Sequence, residues 1–340
     1  MLETFSWSYF LFFGIIVSAA SFLFIEFITP KVIKSLIAKG SVVQDYHKPE
    51  RPAIPRPGGP VVLGGIVAGE IILLLLTRDA RVMAILLTTV ISFAVGLIDD
   101  KKVMPGWYKP VGLIFAGIPL VVLGAHGNHL NLIFGNVLIP ILYIPLILVI
   151  IPIAGNTINS IDVMNGVASE VVIIALIPLL ISIAVFGNTV IFLAALPLLF
   201  GMVAFYKYHR FPSKIFPGDS GTLLIGSMYG ALAIAGSSEV IGVIALLPAV
   251  MNSFLFLDSV KKVIEHRQIK SRPTILMEDF RLMASKEGDA PSTLLRLILA
   301  DGPLCEKEIG KRIFKLMIFS AALAIVSIVL QYHSLTGITK

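Results

Sequence analysis

Residues 139–186 read IPILYIPLILVIIPIAGNTINSIDVMNGVASEVVIIALIPLLISIAVF. Two membrane-length apolar runs, 139–154 and 168–186, meet at the polar stretch NTINSIDVMNGVASE, residues 156–170. Three asparagines, an aspartate and a glutamate cannot face hydrocarbon cheaply, so the stretch belongs at the water interface or in a wet cavity. A solvated turn between two spans is the plain reading. Against it stands the spacing: Asn156, Asn159, Asp162 and Asn165 recur every third residue. On a helix that spacing predicts a slowly drifting ridge of oxygens and amides, suited to a hard cation and a hydrogen-bonding ligand.

The surrounding composition makes this a membrane protein. The 340 residues are 56% hydrophobic, with mean hydropathy +0.92, against about 45–50% apolar in soluble domains. Runs of about 20 mostly apolar residues are expected near 9–28, 60–77, 82–98, 110–123, 139–154, 168–186, 189–205, 221–235, 240–257 and 313–330. The fold class is therefore all-α, a polytopic membrane protein of about ten transmembrane helices in one domain over 1–340. Pro119, Pro145, Pro178 and Pro197 fall inside spans and predict kinks. The N-terminus carries Glu3 and no basic leader, so the first run is expected to be retained rather than cleaved. The single cysteine, Cys305, excludes an intrachain disulfide.

Charge placement orients the chain. Of the 27 Lys and Arg, 24 fall in alternate loops and their margins, leaving Arg78, Arg81 and Lys340 on the other side. The positive side is cytoplasmic, which puts both termini outside. The cytoplasmic loops are then about 29–59, 99–109, 155–167, 206–220 and 258–312, and every polar stretch of interest lies in them. Among the outer loops, 124–138 is long enough for a small hairpin. An internal repeat is not found, which weighs against a secondary transporter.

Each cytoplasmic loop has a bland reading and a chemical one. GSVVQDYHKPERPAIPRPGGP (40–60) is broken by prolines and predicts an extended loop. It is either a positive-inside anchor or the wall of an anion site, with Lys48 among its charges and Gly58 and Gly59 admitting a ligand. In DDKKVMPGWYKP (99–110), Asp99 and Asp100 oppose the dipole of the helix they end, which argues against a simple cap. Beside a cation they could orient or deprotonate a nucleophile, with Lys109 poised for a phosphate. FPGDSG (216–221) places Asp219 at a span start, as an N-cap or as a metal carboxylate beside free backbone amides. VKKVIEHRQIKSRPT (260–274) is a basic cluster suited to phosphates, and the residues around Arg296 are expected in the membrane interface. Glu26 is expected to snorkel and Glu70 to sit deeper. Zinc is not expected, for want of a metal-spaced His or Cys pair, and a P-loop is not present.

In order along the chain, DD…K, N-x-x-N-x-x-D-x-x-N-G, F-x-G-D-S and a late H-R loop resemble the polyprenyl-phosphate N-acetylhexosamine-1-phosphate transferase family. The likeness spans nearly the whole chain. It is nearest the archaeal and eukaryotic branch, through His266-Arg267, Asn165 and the TLLRLILADGPLCEKE stretch at 293–308. The resemblance implies GlcNAc-1-phosphate transfer from a UDP-N-acetylhexosamine to a polyprenyl or dolichyl phosphate, releasing UMP, for N-glycosylation or cell-surface glycans. It implies Mg²⁺, with Mn²⁺ as a substitute, held by Asn159 and Asp219. Asp99, Asp100 and Lys109 are implied at the reaction centre, with Asp99 serving the lipid phosphate. Substrate contacts are implied for Phe216 and Asn165 at uracil, for His266 and Arg267 at the sugar, and for Asn156, Asp162 and Lys48. Two positions depart from the family: Glu265 stands where relatives have an arginine, and Arg56 where they have an acid. The expected site is in the cell membrane, with no nucleic-acid partner and a homodimer left open. The alternatives are a bacterial-type undecaprenyl-phosphate sugar-1-phosphate transferase, a lipid-linked sugar flippase and a non-catalytic lipid-phosphate scaffold.

Overall fold

A computed structural model describes residues 7–260 and 271–336. The long first helix α1 (Trp7–Ala38) leads into a hairpin of β1 (Val42–Gln44) and β2 (Ala53–Pro55). Three helices follow, α2 (Gly59–Thr77), α3 (Ala80–Lys101) and α4 (Tyr108–Val122), and then a second hairpin, β3 (His129–Leu132) with β4 (Gly135–Leu138). The chain continues through α5 (Pro140–Ile161), α6 (Val167–Phe186), α7 (Thr189–His209), α8 (Gly218–Ala235), α9 (Glu239–Ala245) and α10 (Leu247–Val260). A third hairpin, β5 (Thr274–Leu276) with β6 (Leu282–Ala284), precedes α11 (Leu294–Ile298) and α12 (Glu306–Thr336).

Every expected span falls on a helix. Seven helices among the described residues, α1, α2, α3, α5, α6, α7 and α12, are long and apolar enough to cross a membrane alone. The remaining three differ from the expectation in form. The span expected at 240–257 is α9 and α10, bent by 78°. Pro248, second in α10, opens a new helix there rather than extending the old one. α4 has only 15 residues. α8 opens on the polar GDSGT, and nearly all of its residues are buried. The chain is a multi-pass membrane protein.

α8 is the axis of the bundle, packed against α2, α3, α5, α6, α7 and α9. Apolar side chains gain little by leaving lipid for one another, so close helix contact needs small residues. A methyl group at Gly96 of α3 would lie 2.4 Å from the Asp219 carbonyl oxygen. One at Gly226 of α8 would lie 2.4 Å from the Ala154 carbonyl oxygen of α5. The two glycines let three helix backbones touch, and they fix the start of α8 against α3. The kink-prone prolines at 119, 145, 178 and 197 all lie within continuous helices.

The polar stretch is not one helical ridge. α5 ends at Ile161, Asp162 leaves the helix (φ −77°, ψ 57°), and Gly166 at φ 85° turns the chain into α6. Asn156 and Asn159 stand on α5, whereas Asp162 and Asn165 stand on the connecting loop. The first loop is extended, as its prolines require, but α1 runs ten residues past the expected end at 28. The hairpin expected within 124–138 forms, with His129 opposite Leu138.

Candidate active site at one end of the bundle

The first loop, the start of α4, the end of α5, the start of α8 and residues 272–274 converge on one cleft of about 550 Å³. That size is typical of a small-molecule site, about 300–1,000 Å³. Its lining includes Lys109, Asn159, Asp162, Asn165, Phe216 and Asp219, together with Arg56 and Arg272.

At the base of the cleft, acids and cations alternate. Lys109 Nζ lies 3.0 Å from Asp99 Oδ2 and 3.5 Å from Asp219 Oδ2. Arg56 lies 3.4 Å from Asp219 Oδ2 and 3.0 Å from Asp100 Oδ1. The adjacent acids thus diverge, as successive helical side chains must. Asp99 turns to Lys109 and accepts the Met104 N–H at 3.0 Å. Asp100 accepts the N–H groups of Asp219 and Ser220, both at 2.9 Å. Neither acid is among the described lining residues of the cleft. The α8 amides expected to meet a ligand are therefore taken by Asp100, a carboxylate held at a helix N-terminus. Asp219 sits in the first turn of α8, and Pro217 is the cap. Gly218, at φ 71°, has no room for a side chain, since a methyl group would lie 2.9 Å from the Asp100 carboxylate.

Gly58 and Gly59 also serve the fold rather than a ligand. Their N–H groups donate to Phe216 and Pro217 carbonyls at 2.8 and 2.9 Å. A methyl group at Gly59 would lie 2.5 Å from Gly221 N. Phe216 is pinned in turn by its N–H to the Pro55 carbonyl, 3.0 Å, and its ring meets His209 edge-on. The departure at Arg56 has a structural use: its guanidinium ties Asp100 to Asp219.

Two oxygen donors suit a hard cation. Asn159 and Asp219 both line the cleft, and the Thr222 hydroxyl, one turn beyond Asp219, donates to Asn159 Oδ1 at 2.7 Å. That bond orients the amide oxygen toward the start of α8. An amide oxygen and a carboxylate, without thiol or imidazole, match Mg²⁺-like chemistry. A second cluster, Asp45, His47 and Glu306, offers ligand atoms within 4.8 Å of one another. Lys48 already offsets part of its charge, bonded to Asp45 and 3.4 Å from Glu306 Oε2.

Other expected contacts sit differently. Asn156 donates to its own helix at Pro152 O, 2.8 Å, and is not among the described lining residues. Lys48 is likewise turned away from the cleft, with its ammonium over the Phe211 ring at 4.9 Å. Asp162 lines the cleft 3.7 Å from His209 Nε2, and burial pushes its carboxyl up to about 7. His266 and Arg267, with Glu265, lie outside the described residues. Arg296 folds the last loop, donating to the Ser285 and Glu287 carbonyls at 3.0 Å each. Glu26 pairs with Lys207, and Glu70 is fully buried. Arg272 and Glu306 were not legible as site residues. Arg272 reads as one of many loop cations, and an acid opening a helix reads as a dipole partner.

The glycosyl transferase family 4 profile matches residues 82–237, which hold Asp99, Lys109, Asn159, Asp162 and Asp219. A Saccharolobus solfataricus protein provisionally named UDP-N-acetylglucosamine–dolichyl-phosphate N-acetylglucosaminephosphotransferase is 29% identical over 91% of this chain and 94% of its own. A Sulfolobus acidocaldarius protein of the same provisional name is 28% identical over 66% and 71%. The phospho-N-acetylmuramoyl-pentapeptide-transferase of Streptococcus suis is 32% identical over 64% of this chain and 68% of its own. The archaeal likeness runs nearly end to end and the bacterial one covers two thirds of the relative, so this chain belongs to glycosyl transferase family 4.

Proposed function

We propose that this protein transfers N-acetylglucosamine-1-phosphate, or a related N-acetylhexosamine-1-phosphate, from its UDP-sugar to a polyprenyl phosphate, releasing UMP. The observation that carries the reading is the row of charges Asp99, Lys109, Asp219, Arg56 and Asp100 at the mouth of a membrane bundle. Two fixed cations and an oxygen pair for a metal suit a diphosphate, and the site's place at a bundle end suits an acceptor that stays in the bilayer. The relatives named as phosphotransferases point the same way. The bias of Lys and Arg supports a cleft on the cytoplasmic side.

An oxygen of the lipid phosphate attacks the β-phosphorus. The new P–O bond forms as the bond from the β-phosphorus to the bridging oxygen breaks, and its electron pair leaves with UMP. A phosphate monoester needs no strong base at neutral pH. Lys109 and Arg56 meet the phosphate oxygens and stabilise the charge that moves between them. Asp99, behind Lys109, aims the ammonium, and Asp100 fixes the start of α8 on which Asp219 rides. Asn159 and Asp219 would hold a divalent cation, Mg²⁺ by donor type, which would supply positive charge against that of the phosphates.

The test is transfer of radiolabel from UDP-[³H]GlcNAc into organic-soluble lipid by the purified protein, with and without a divalent cation. Metal-dependent labelled lipid and stoichiometric UMP are expected. Transport of preformed lipid-linked sugar without UMP release would favour the flippase, and binding of lipid phosphate without turnover would favour the scaffold.

A further inference from the structure

Asn165, Lys48, Asp45 and Glu306 come from three separate parts of the chain and form one closed clasp beside the cleft. An amide offers two acceptor positions and two donor hydrogens. In Asn165 all four are used. Its Oδ1 accepts the Ser213 N–H at 2.7 Å and Lys48 Nζ at 3.0 Å. Its Nδ2 donates to Glu306 Oε1 at 2.6 Å and to Asp45 Oδ2 at 3.1 Å. Glu306 also accepts the Asn165 backbone N–H at 2.8 Å, so one carboxylate holds both the main chain and the side chain of the loop. It is 6% exposed at the first residue of α12. Burial disfavours the charge on Asp45, but Lys48 and Asn165 outweigh it and hold the carboxyl below its ordinary range.

We propose that Glu306 is a positioning residue for the nucleotide side of the cleft, acting through Asn165; this rests on the UDP-sugar reading above. The Asn165 amide is a crosspiece of this clasp. It ties the loop bearing Asp162 to the α7–α8 linker at Ser213, three residues before Phe216, and Glu306 sets its orientation. Lys48 belongs to the same clasp and not to a phosphate site. The last cytoplasmic segment thereby governs the cleft from outside the stretch that matches the family profile. Charge-assisted bonds to a buried carboxylate are the strong members of such a network.

The experiment compares the full-length wild type with Glu306→Ala, Glu306→Gln, Asn165→Asp, and Glu306→Gln combined with Asn165→Asp. KM for each substrate, kcat and Tm are measured. Glu306→Ala should raise KM for the UDP-sugar about tenfold, with KM for the polyprenyl phosphate and kcat within about twofold of wild type. Glu306→Gln keeps an acceptor for Asn165 and should restore most of the loss. Asn165→Asp sets like charges against Glu306 and Asp45 and should raise the same KM. In the double variant the glutamine amide donates to the new carboxylate, and KM should partly recover, which a merely structural defect would not do. An unchanged KM in Glu306→Ala, a loss shared by both substrates, or no recovery in the double variant would overturn the proposal. A wild type that transfers no sugar phosphate would instead remove the UDP-sugar reading on which it rests.

Discussion

The pair Asp99 and Asp100 shows what a residue's neighbours add to its type. In the sequence they are interchangeable acids, and the family resemblance assigns the lipid phosphate to Asp99. In the fold Asp99 stands behind Lys109 and Asp100 binds the amides of α8. Asp99→Asn should therefore weaken the aim of Lys109 rather than remove a base. The expected loss in kcat/KM is about 10–100-fold, the worth of a charge-assisted bond at about 1.5–3 kcal/mol, with the acidic limb of the pH profile retained. A profile that lost that limb would make Asp99 the base after all. Asp219→Ala should abolish metal-dependent transfer in protein that still runs monodisperse, and near-normal turnover at saturating Mg²⁺ would sink the metal assignment. Asp162 gives a pH test independent of turnover. Its folded carboxyl titrates near 7, and an unfolded one near 4. The folded chain thus keeps a proton that the unfolded chain has released, so stability should fall as pH rises from about 4 to about 7 and level off above. Tm of metal-free protein across that range should show the slope, and Asp162→Asn should reduce it, leaving the part due to Asp219, whose carboxyl burial pushes up to about 6. These neighbours were not legible in the sequence, because Arg56, Met104 and Ser220 reach the acids only once the helices pack.

Among the elements, spans were the most legible feature and their mutual packing the least. Apolar runs of membrane length announce themselves, and so do proline-rich extended loops. The break between α9 and α10 was marked by Pro248 but hidden inside one continuous apolar run. The end of α5 was hidden in the same way, since a three-residue polar spacing looks helical until Gly166 turns the chain. The role of α8 as hub lay in its small residues, which a hydropathy reading passes over. Gly96 and Gly226 separate the two consequences of that packing. Gly96→Ala presses on the backbone at Asp219 itself. It should cost activity tenfold or more. Gly226→Ala presses on α5 at Ala154, two turns below Asp219. It should cost mainly stability, about 1–3 kcal/mol for overpacking, read as a lower Tm with kcat little changed. Equal effects of the two on kcat would mean that the start of α8 has no special place in the site.

For the molecule as a whole, the question is which side of the membrane the cleft faces. The fold brings the first loop, the starts of α4 and α8 and the end of α5 to one end, the end that carries nearly all the Lys and Arg. The opposite end holds the β3–β4 hairpin, tied down by the Asn131 amide to the Ser237 carbonyl at 2.9 Å. A soluble UDP-sugar and a lipid acceptor can meet only on the side where the nucleotide is kept, so orientation and function stand or fall together. Cys305→Ser gives a background without cysteine, because Cys305 is the only one in the chain. Single cysteines are then placed at two exposed sites, Phe134→Cys in the hairpin and Lys214→Cys beside the cleft. In sealed cells a membrane-impermeant maleimide should label the first and spare the second until the membrane is opened with detergent. Positive residues resist translocation, so the basic end should stay inside. The reverse pattern would place the cleft outside the cell. The UDP-sugar would then have no supply, and the transferase reading would fail whatever the chemistry of the isolated site allows.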